Sequence, residues 1–350
     1  MPYHDDTPQC RIRVHLRLRP SAKPSTAIHI QDETATVLID VQKSSGGGPP
    51  KSYMDQIVFN VDSIVQSTDQ QQVYEQIAKP SVDDFLKGYN STIMAYGQVG
   101  AGKTFTMTGD MKVYGNRGII PRSIHQIFEE KENKPEAGIV VHMSYMEIYQ
   151  EALYDLLQQR SDNLMIIEEN HLPAVRGLAK IRVETEAQAV QWFFEGEKSR
   201  TYGHHILNPL SSRSHTILTF YMERRVQRCR ALTDFTVAKL NLVDLAGVER
   251  LKKVSTDTGG LMRREACVIN KSLSFLEQTV YALRLGQGYV PFRQSKVTTL
   301  LKESLGGNCK TVLIVNCWPE EYFLDETVNS KFSSPCKPIC IFTNSIQSRP

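Results

Sequence analysis

The sequence contains no apolar run close to the ~18 residues that a helix needs to cross a bilayer, so no membrane-spanning segment is predicted. Residues 1–6 carry early acids and no apolar stretch, and we expect no secretory signal. The seven cysteines lack the spacing of a disulfide framework, which predicts reduced thiols in a cytosolic protein. Neither positive nor negative side chains are in large excess. The 41 Lys and Arg against 38 Asp and Glu leave a net charge of +3, too balanced to indicate nucleic-acid binding by the whole surface.

Strand and helix patterns alternate along the 350 residues, and 41% hydrophobic residues suffice for a full core. Alternating or continuous apolar runs predict strands at 11–19, 92–96, 139–146, 217–222, 238–243 and 311–317. Helical spacing predicts helices at 187–198, at 264–285 and at 70–88, where Pro80 marks a kink or break. Residues 43–50 read as a loop. This order favours one three-layer α/β domain whose central, mostly parallel sheet is flanked by helices.

A glycine-rich segment directly follows the predicted strand 92–96 and matches the pattern G-x-x-x-x-G-K-[ST] in full. Glycines at these positions let backbone N–H groups turn inward and cradle phosphate oxygens. Lys103 would reach the β- and γ-phosphates, and the Thr104 hydroxyl would bind Mg²⁺. The sequence therefore predicts a phosphate loop made of Gly97, Gln98, Val99, Gly100, Ala101, Gly102, Lys103 and Thr104.

A second apolar strand ends in Asp244 and is followed by Gly247, the spacing D-x-x-G. Beside a phosphate loop, such an Asp holds Mg²⁺ and such a Gly senses the γ-phosphate, so the protein should distinguish triphosphate from diphosphate. Small GTPases share this pair but add N-K-x-D to read guanine. Residues 270–273 here begin Asn-Lys and lack the acid, which favours ATP over a GTPase-like switch.

Residues 208–215 bring three serine hydroxyls, an Arg and a His together, which alone is typical of a polar turn. Combined with the phosphate loop and residues 244–249, in this order, they make the chain resemble a kinesin motor domain. The same resemblance extends over 88–93, 96–109, 117–122, 144–149, 269–273, 290–296, 304–308 and 325–327. It implies the kinesin motor fold over residues 11–333. Within the family, the chain looks most like the ninth, cilia- and flagella-associated class, on the basis of segments 272–278 and 304–309.

The resemblance implies roles around the nucleotide. Arg17 and Pro20 match residues that border the adenine, and Phe105 takes the place of an aromatic or His beside the base. Without the resemblance, these would be an ordinary strand end and a core Phe. Ser212 matches a residue that completes the Mg²⁺ site together with the phosphate-loop threonine and the strand-end Asp.

The resemblance also implies two switch loops. Arg213 and Glu249 match a pair that forms a salt bridge when these loops close on ATP, and Gly247 matches the γ-phosphate sensor. Asn270 matches an Asn of the second switch region. Val248 replaces the usual Ser of this loop, so one hydroxyl is missing from the second switch.

Positive charge is concentrated after the second switch. Residues 250–310 carry eleven basic and four acidic side chains, a formal charge of +7, so the rest of the chain is −4. Such a face steers a protein to a polyanion with strong salt dependence, and charge alone does not choose between nucleic acid and an acidic protein. The resemblance favours microtubules and excludes nucleic acid and membranes, with the track contacts at Lys252, Lys253, Lys271, Arg293 and Lys296.

Taken with the resemblance, the sequence predicts a microtubule-stimulated ATPase that uses ATP and Mg²⁺ to drive movement along microtubules of the cytoplasm, or of a cilium or flagellum. The alternative is a microtubule-binding module with weak or uncoupled ATPase, because residues 334–350 form an atypical tail where kinesins carry a neck linker. Pro335 and Pro338 would stop the usual helix there, and an altered chain end is the favoured explanation. No heptads follow, so dimerisation would need a stalk that is absent here.

Overall fold

The computed structural model describes residues 12–42, 54–159, 161–202, 213–229, 232–248 and 259–323. Fourteen strands lie within these ranges. They are β1 Arg13–Leu18, β2 Ile28–Gln31, β3 Thr36–Gln42, β4 Met54–Asn60, β5 Ser63–Val65, β6 Ser91–Gly97, β7 Val140–Tyr149, β8 Ala152–Asp155, β9 Met165–Glu169, β10 Leu172–Arg176, β11 Ile181–Val183, β12 His215–Cys229, β13 Leu232–Asp244 and β14 Lys310–Cys317.

Eight α-helices accompany the strands in the described ranges. They are α1 Gln70–Val73, α2 Lys79–Leu86, α3 Lys103–Met107, α4 Ile119–Asn133, α5 Glu186–Tyr202, α6 Gly259–Arg284, α7 Lys296–Leu300 and α8 Lys302–Gly306. None of these helices combines the length and the apolar character that crossing a bilayer requires.

A nine-stranded mixed sheet forms the centre of the molecule. Its strand order is β11-β7-β12-β13-β6-β14-β1-β5, with β8 paired to β7. The strands from β13 through β6, β14 and β1 to β5 are parallel, whereas β11, β7, β12 and β13 pair antiparallel. Parallel strands direct their carboxyl ends to one edge of the sheet, and the loops that leave β6 and β13 therefore lie side by side.

The core has two apolar layers, one on each face of this sheet. One layer packs side chains of α2, α4 and α5 against the sheet, and the other packs side chains of α6, α7 and α8. Strand β6 serves both, because Ile93 and Ala95 belong to the first layer and Met94 and Tyr96 to the second. Alternation along a strand places successive side chains on opposite faces, which explains the continuous apolar run of β6.

The predicted three-layer α/β fold is confirmed, and each predicted strand and helix coincides with an observed element. At Pro80 the helix is not broken, because a π-helical turn at Tyr74–Ala78 joins α1 to α2. Proline lacks the N–H that continues an α-helix, and the wider turn accommodates it near the start of α2. The loop predicted at 43–50 lies outside the described residues.

Candidate active site

The phosphate loop joins β6 to α3, as its sequence predicts. Gly97 has a φ of 147°, and a Cβ there would lie 2.1 Å from the Asn316 carbonyl oxygen on β14. Only glycine accepts both this backbone conformation and this close approach. The packing of β6 against β14 therefore requires the first glycine of the motif, independently of any contact with phosphate.

Two functional side chains of the loop begin helix α3. Lys103 is 4% exposed, and its Nζ donates to the Gln98 carbonyl oxygen at 2.8 Å, across the loop. Thr104 Oγ1 donates to Asp244 Oδ2 at 2.8 Å, which joins the loop to the end of β13. The structure thus brings together two predicted residues, Thr104 and Asp244, that are 140 positions apart in the chain.

The Asp244 carboxylate fits a magnesium site. It is 2% exposed, and its Oδ1 is a buried atom without a hydrogen-bond partner among the described residues. Burial raises the pKa of Asp244 above its usual range, and the charges of Arg200 and Lys103 oppose that rise. Mg²⁺ prefers hydroxyl and carboxylate oxygens, which Thr104 and Asp244 supply. Ser212, the third predicted Mg²⁺ residue, lies outside the described residues.

A buried arginine that the sequence analysis missed supports this site. Arg200, in the last turn of α5, is 4% exposed, and its Nη1 lies 3.7 Å from Asp244 Oδ2 and 3.9 Å from Glu197 Oε1. Burial disfavours the guanidinium charge, but Glu197 and Asp244 raise the pKa of Arg200 above its usual value. A buried positive charge therefore lies beside the Asp244 carboxylate. No motif in the sequence marks this arginine.

The residues predicted at the adenine lie beside helix α3, which directly follows the phosphate loop. The Arg17 guanidinium is 5.7 Å from the centre of the Phe105 ring, and its Nη1 donates to Thr106 Oγ1 at 2.8 Å. Burial lowers the pKa of Arg17 to about 10, so it remains charged at neutral pH. Phe105 is 42% exposed and Pro20 is also exposed. Both apolar surfaces are thus open to a stacked base, and Phe105 is not a core side chain.

The second switch segment lies directly on the phosphate loop. Val248 N donates to the Gly97 carbonyl oxygen at 3.2 Å, and Val99 N donates to the Val248 carbonyl oxygen at 3.4 Å. A Cβ on Gly247 would lie 2.6 Å from Val99 Cγ2. Gly247 is therefore held against the loop at the predicted γ-phosphate end, and Val99 is one of the residues that touch it.

Arg213 connects the first switch segment to the long helix α6. Its Nη1 lies 2.8 Å from Glu265 Oε2, and both side chains are largely buried. The Tyr149 hydroxyl donates to the other carboxylate oxygen of Glu265 at 3.0 Å. Glu249, the partner that the resemblance implies for Arg213, lies outside the described residues, so that pair stays a prediction.

His215 forms a second connection to α6. Its Nδ1 accepts the Ala246 N–H at 3.0 Å, and its Nε2 is 3.0 Å from Ser272 Oγ. Because Nδ1 accepts, Nε2 carries the proton and donates to Ser272. The Ser272 hydroxyl in turn donates to the Ile269 carbonyl oxygen at 2.8 Å. The backbone beside Gly247 is thus linked to the middle of α6, where Asn270 is half-buried.

Two buried histidines predict acid sensitivity. Burial, the largest cause in each, lowers the pKa of His15 to about 4 and of His215 to about 3, against an ordinary 6.5. Below pH 6.5 the unfolded chain therefore binds protons at these histidines that the folded chain does not bind. The free energy of unfolding that is present above pH 6.5 is lost as the pH falls toward 4. Each histidine contributes a slope of about 1.4 kcal/mol per pH unit.

The test compares urea unfolding between pH 6.5 and 4.5. We expect His15→Gln to reduce the slope of unfolding free energy against pH by about 1.4 kcal/mol per unit. Equal slopes for His15→Gln and the parent protein contradict the buried, neutral assignment.

The predicted track-contact residues that the structure describes belong to neighbouring elements. Lys271 is exposed on α6, Lys296 begins α7, and the Arg293 side chain is 83% exposed just before it. Arg293 Nη2 reaches Glu168 Oε2 of the β9–β10 hairpin at 3.1 Å, an exposed pair that contributes little stability. Lys252 and Lys253 lie outside the described residues.

The fold and this site define the class of the protein as a phosphate-loop nucleotide-binding α/β domain, with a carboxylate-ended second strand beside the loop. The kinesin motor domain model matches residues 17–339. The chain belongs to the kinesin motor-domain family, as its resemblance implies.

Individual relatives agree with this assignment. "Kinesin-like protein KLP1" of Chlamydomonas reinhardtii is 44% identical over 328 residues, which cover 92% of this chain and 42% of KLP1. "Kinesin-like protein KIF9" of Mus musculus is 41% identical, covering 93% of this chain and 42% of KIF9. The solved structure of a fast kinesin matches with a TM-score of 0.79 and 36% identity, covering 91% of this chain and 89% of that one. The chain thus spans less than half of these curated relatives, which are consistent with the predicted ninth class.

Proposed function

We propose that this chain is an ATP-driven microtubule motor domain, a kinesin-type ATPase whose hydrolysis is stimulated by the track. The observation that carries the proposal is the connection of His215 to Ser272, immediately beside the exposed Lys271. A movement of the backbone at Ala246 would therefore reach the helix that bears the basic face.

The proposed chemistry is hydrolysis of the γ-phosphate, in which positioning and charge neutralisation lower the barrier. Lys103 places a positive charge at the β- and γ-phosphates, and the N–H of Gly247 faces the transferred group. Arg213 and Glu249 close over it and order the attacking water. Thr104, Ser212 and Asp244 would hold Mg²⁺, which supplies neutralisation of phosphate charge when bound.

The charge balance of the basic face supports an acidic partner. Among the described residues of segment 250–310, each acidic side chain has an inward partner. Glu265 pairs with Arg213, Glu303 pairs with Lys239, and Glu277 accepts from the Tyr96 hydroxyl. The basic side chains Arg264, Lys271, Arg284 and Arg293 remain exposed. Exposed basic side chains thus predominate on this face, as steering to an acidic microtubule requires.

Charge reversal on this face provides a test of the track contacts. We expect the double variant Lys271→Glu and Arg293→Glu to bind microtubules at least about ten-fold more weakly at low salt. Its affinity should also change less with salt, because fewer favourable charges remain to be screened. Lys112→Glu reverses an exposed lysine on the loop after α3 and should bind as the parent does. Equal loss in both proteins contradicts the assignment.

The function itself is tested by the ATPase rate with and without polymerised microtubules, at low and moderate salt. Strong stimulation that weakens with salt is expected of a coupled motor domain. Salt-sensitive binding without stimulation would instead support the alternative, a track-binding module with an uncoupled ATPase. A clear preference for GTP over ATP would contradict the kinesin-type mechanism.

The same proposal includes the bounds of the motor domain and the location of the protein. We propose residues 11–333 as the motor domain and 334–350 as an atypical tail. The proposed location is the microtubules of the cytoplasm, and similarity to the ninth kinesin class favours those of a cilium or flagellum. Fractionation with microtubules and localisation of a tagged chain would test the proposed location.

A further inference from the structure

An indole ring lies against the outer side of the phosphate loop. Trp318 directly follows β14, and its Nε1 donates to the Val99 carbonyl oxygen at 3.3 Å. A Cβ on Gly100 would lie 3.2 Å from Trp318 Cζ2 and 3.6 Å from Nε1. The ring therefore fills the space that the glycine leaves open, on the side of the loop formed by Val99 and Gly100.

A guanidinium completes the support of this turn. The Arg19 Cζ lies 4.0 Å from the centre of the Trp318 ring, a cation–π distance. Arg19 Nη1 also donates to the Gly100 carbonyl oxygen at 2.5 Å. Two successive carbonyls of the phosphate loop are thus held by Trp318 and Arg19, which we call the loop-supporting pair.

Neighbouring residues fix the indole in turn. Phe323 stacks on Trp318 with ring centres 4.6 Å apart and an interplanar angle of 15°. Ser25 N donates to the Pro319 carbonyl oxygen at 2.7 Å, and Ser21 Oγ donates to Glu320 Oε1 at 2.7 Å. The segment 318–323 is therefore anchored to the loop after β1, and the orientation of the indole is set by contacts outside the phosphate loop.

We propose that the loop-supporting pair Arg19 and Trp318 positions the phosphate loop for nucleotide and thereby slows the release of bound nucleoside diphosphate. The C=O and N–H of a trans peptide unit point in opposite directions. A loop carbonyl that is held outward therefore directs the N–H of the next residue inward, where phosphate oxygens bind. A loop held in its binding conformation loses less conformational freedom when it binds. Trp318 is thus a positioning residue that acts through the loop, because no contact of its own with the nucleotide is required.

The proposal rests on nucleotide binding at the phosphate loop and concerns binding rather than chemistry. Removal of the indole should therefore affect release of ADP and spare the hydrolysis step, which depends on Lys103 and the switch residues. A general loss of folding would change both. This split between release and chemistry distinguishes positioning from a merely structural role.

The variants are Trp318→Ala, Trp318→Phe and Arg19→Gln in the full chain. We expect ADP to dissociate about ten-fold faster from Trp318→Ala, measured with a fluorescent ADP analogue, as loss of one hydrogen bond and one cation–π contact predicts. Trp318→Phe keeps a ring for Arg19 and Phe323 but lacks the N–H donor, so its release rate should be intermediate. The single-turnover hydrolysis rate at saturating ATP should stay within about two-fold of the parent rate.

The second tryptophan provides a matched control. The chain has two tryptophans, and Trp192 lies on α5 against the first core layer. Trp192→Phe should release ADP at the parent rate and leaves Trp318 as the single tryptophan. The tryptophan fluorescence of the Trp192→Phe protein should change when ADP leaves. The Trp318→Phe protein, which retains only Trp192, should show no such change.

The outcomes separate this inference from the proposed function. A parent protein that binds no ADP would overturn both. A parent that binds ADP, together with folded Trp318→Ala and Arg19→Gln proteins that release it within about two-fold of the parent rate, would overturn only the role of the loop-supporting pair. If Trp318→Ala fails to fold, Arg19→Gln and Trp318→Phe carry the same test, since Arg19 is exposed.

Discussion

Lys103→Ala is expected to weaken ATP and ADP binding by at least about a hundred-fold, because charge-assisted hydrogen bonds to phosphate are lost. The Lys103 side chain is almost fully buried, and its ammonium is held at the Gln98 carbonyl inside the loop. An alanine leaves the phosphates without this charge. Equilibrium binding of a fluorescent ATP analogue measures the loss.

The matched control for this variant is Lys87→Ala, at an exposed lysine just after α2. It should bind nucleotide as the parent protein does. Thermal unfolding without nucleotide should show that Lys103→Ala remains folded. Retention of parent affinity by a folded Lys103→Ala protein contradicts the assignment of the phosphate loop.

Glu249→Ala is expected to leave nucleotide binding in place and to reduce hydrolysis at least about a hundred-fold, as loss of a group that orders the attacking water predicts. Glu249 follows Val248 in the chain, and Val248 is hydrogen-bonded to the phosphate loop. Its expected partner, Arg213, is already held beside α6 by Glu265. Single-turnover hydrolysis measures the effect separately from binding.

Glu132→Ala, at an exposed position of α4, is the control for that second variant and should hydrolyse ATP at the parent rate. Turnover by Glu249→Ala close to the parent rate would refute the latch between the two switch loops. Loss of binding together with hydrolysis would instead mean that Glu249 stabilises the bound state rather than the reaction.

Much of the fold was predictable because the central strands have continuous apolar runs. Strand β6 is buried on both faces, and Ile93 and Met94 belong to opposite core layers, so its residues 93–96 form an unbroken apolar run. The phosphate loop was predictable for a different reason, since Gly97, Lys103 and Thr104 act within one short segment. Local patterns of both kinds are written in consecutive residues.

Other parts of the site were not predictable, since they depend on residues that only the fold brings together. Arg200 meets Asp244 because α5 packs beside the sheet, and neither residue carries a local signal for the other. Trp318 supports Gly100 across more than 200 positions of sequence. The β9–β10 hairpin was also missed, because its short strands have exposed and partly buried residues without regular alternation.

The strand order also determines when this domain can become complete during synthesis. Strand β1 pairs with β14 through Arg13 and Val312, and β6 lies between β13 and β14. Contacts this distant in sequence make folding slow, because the entropy of closing long loops is lost before the paired strands form stabilising contacts. The apolar faces of β1 and β6 emerge from the ribosome well before their partner β14 exists. A nascent chain of this protein therefore exposes these apolar faces, which favour aggregation, until β14 has been translated.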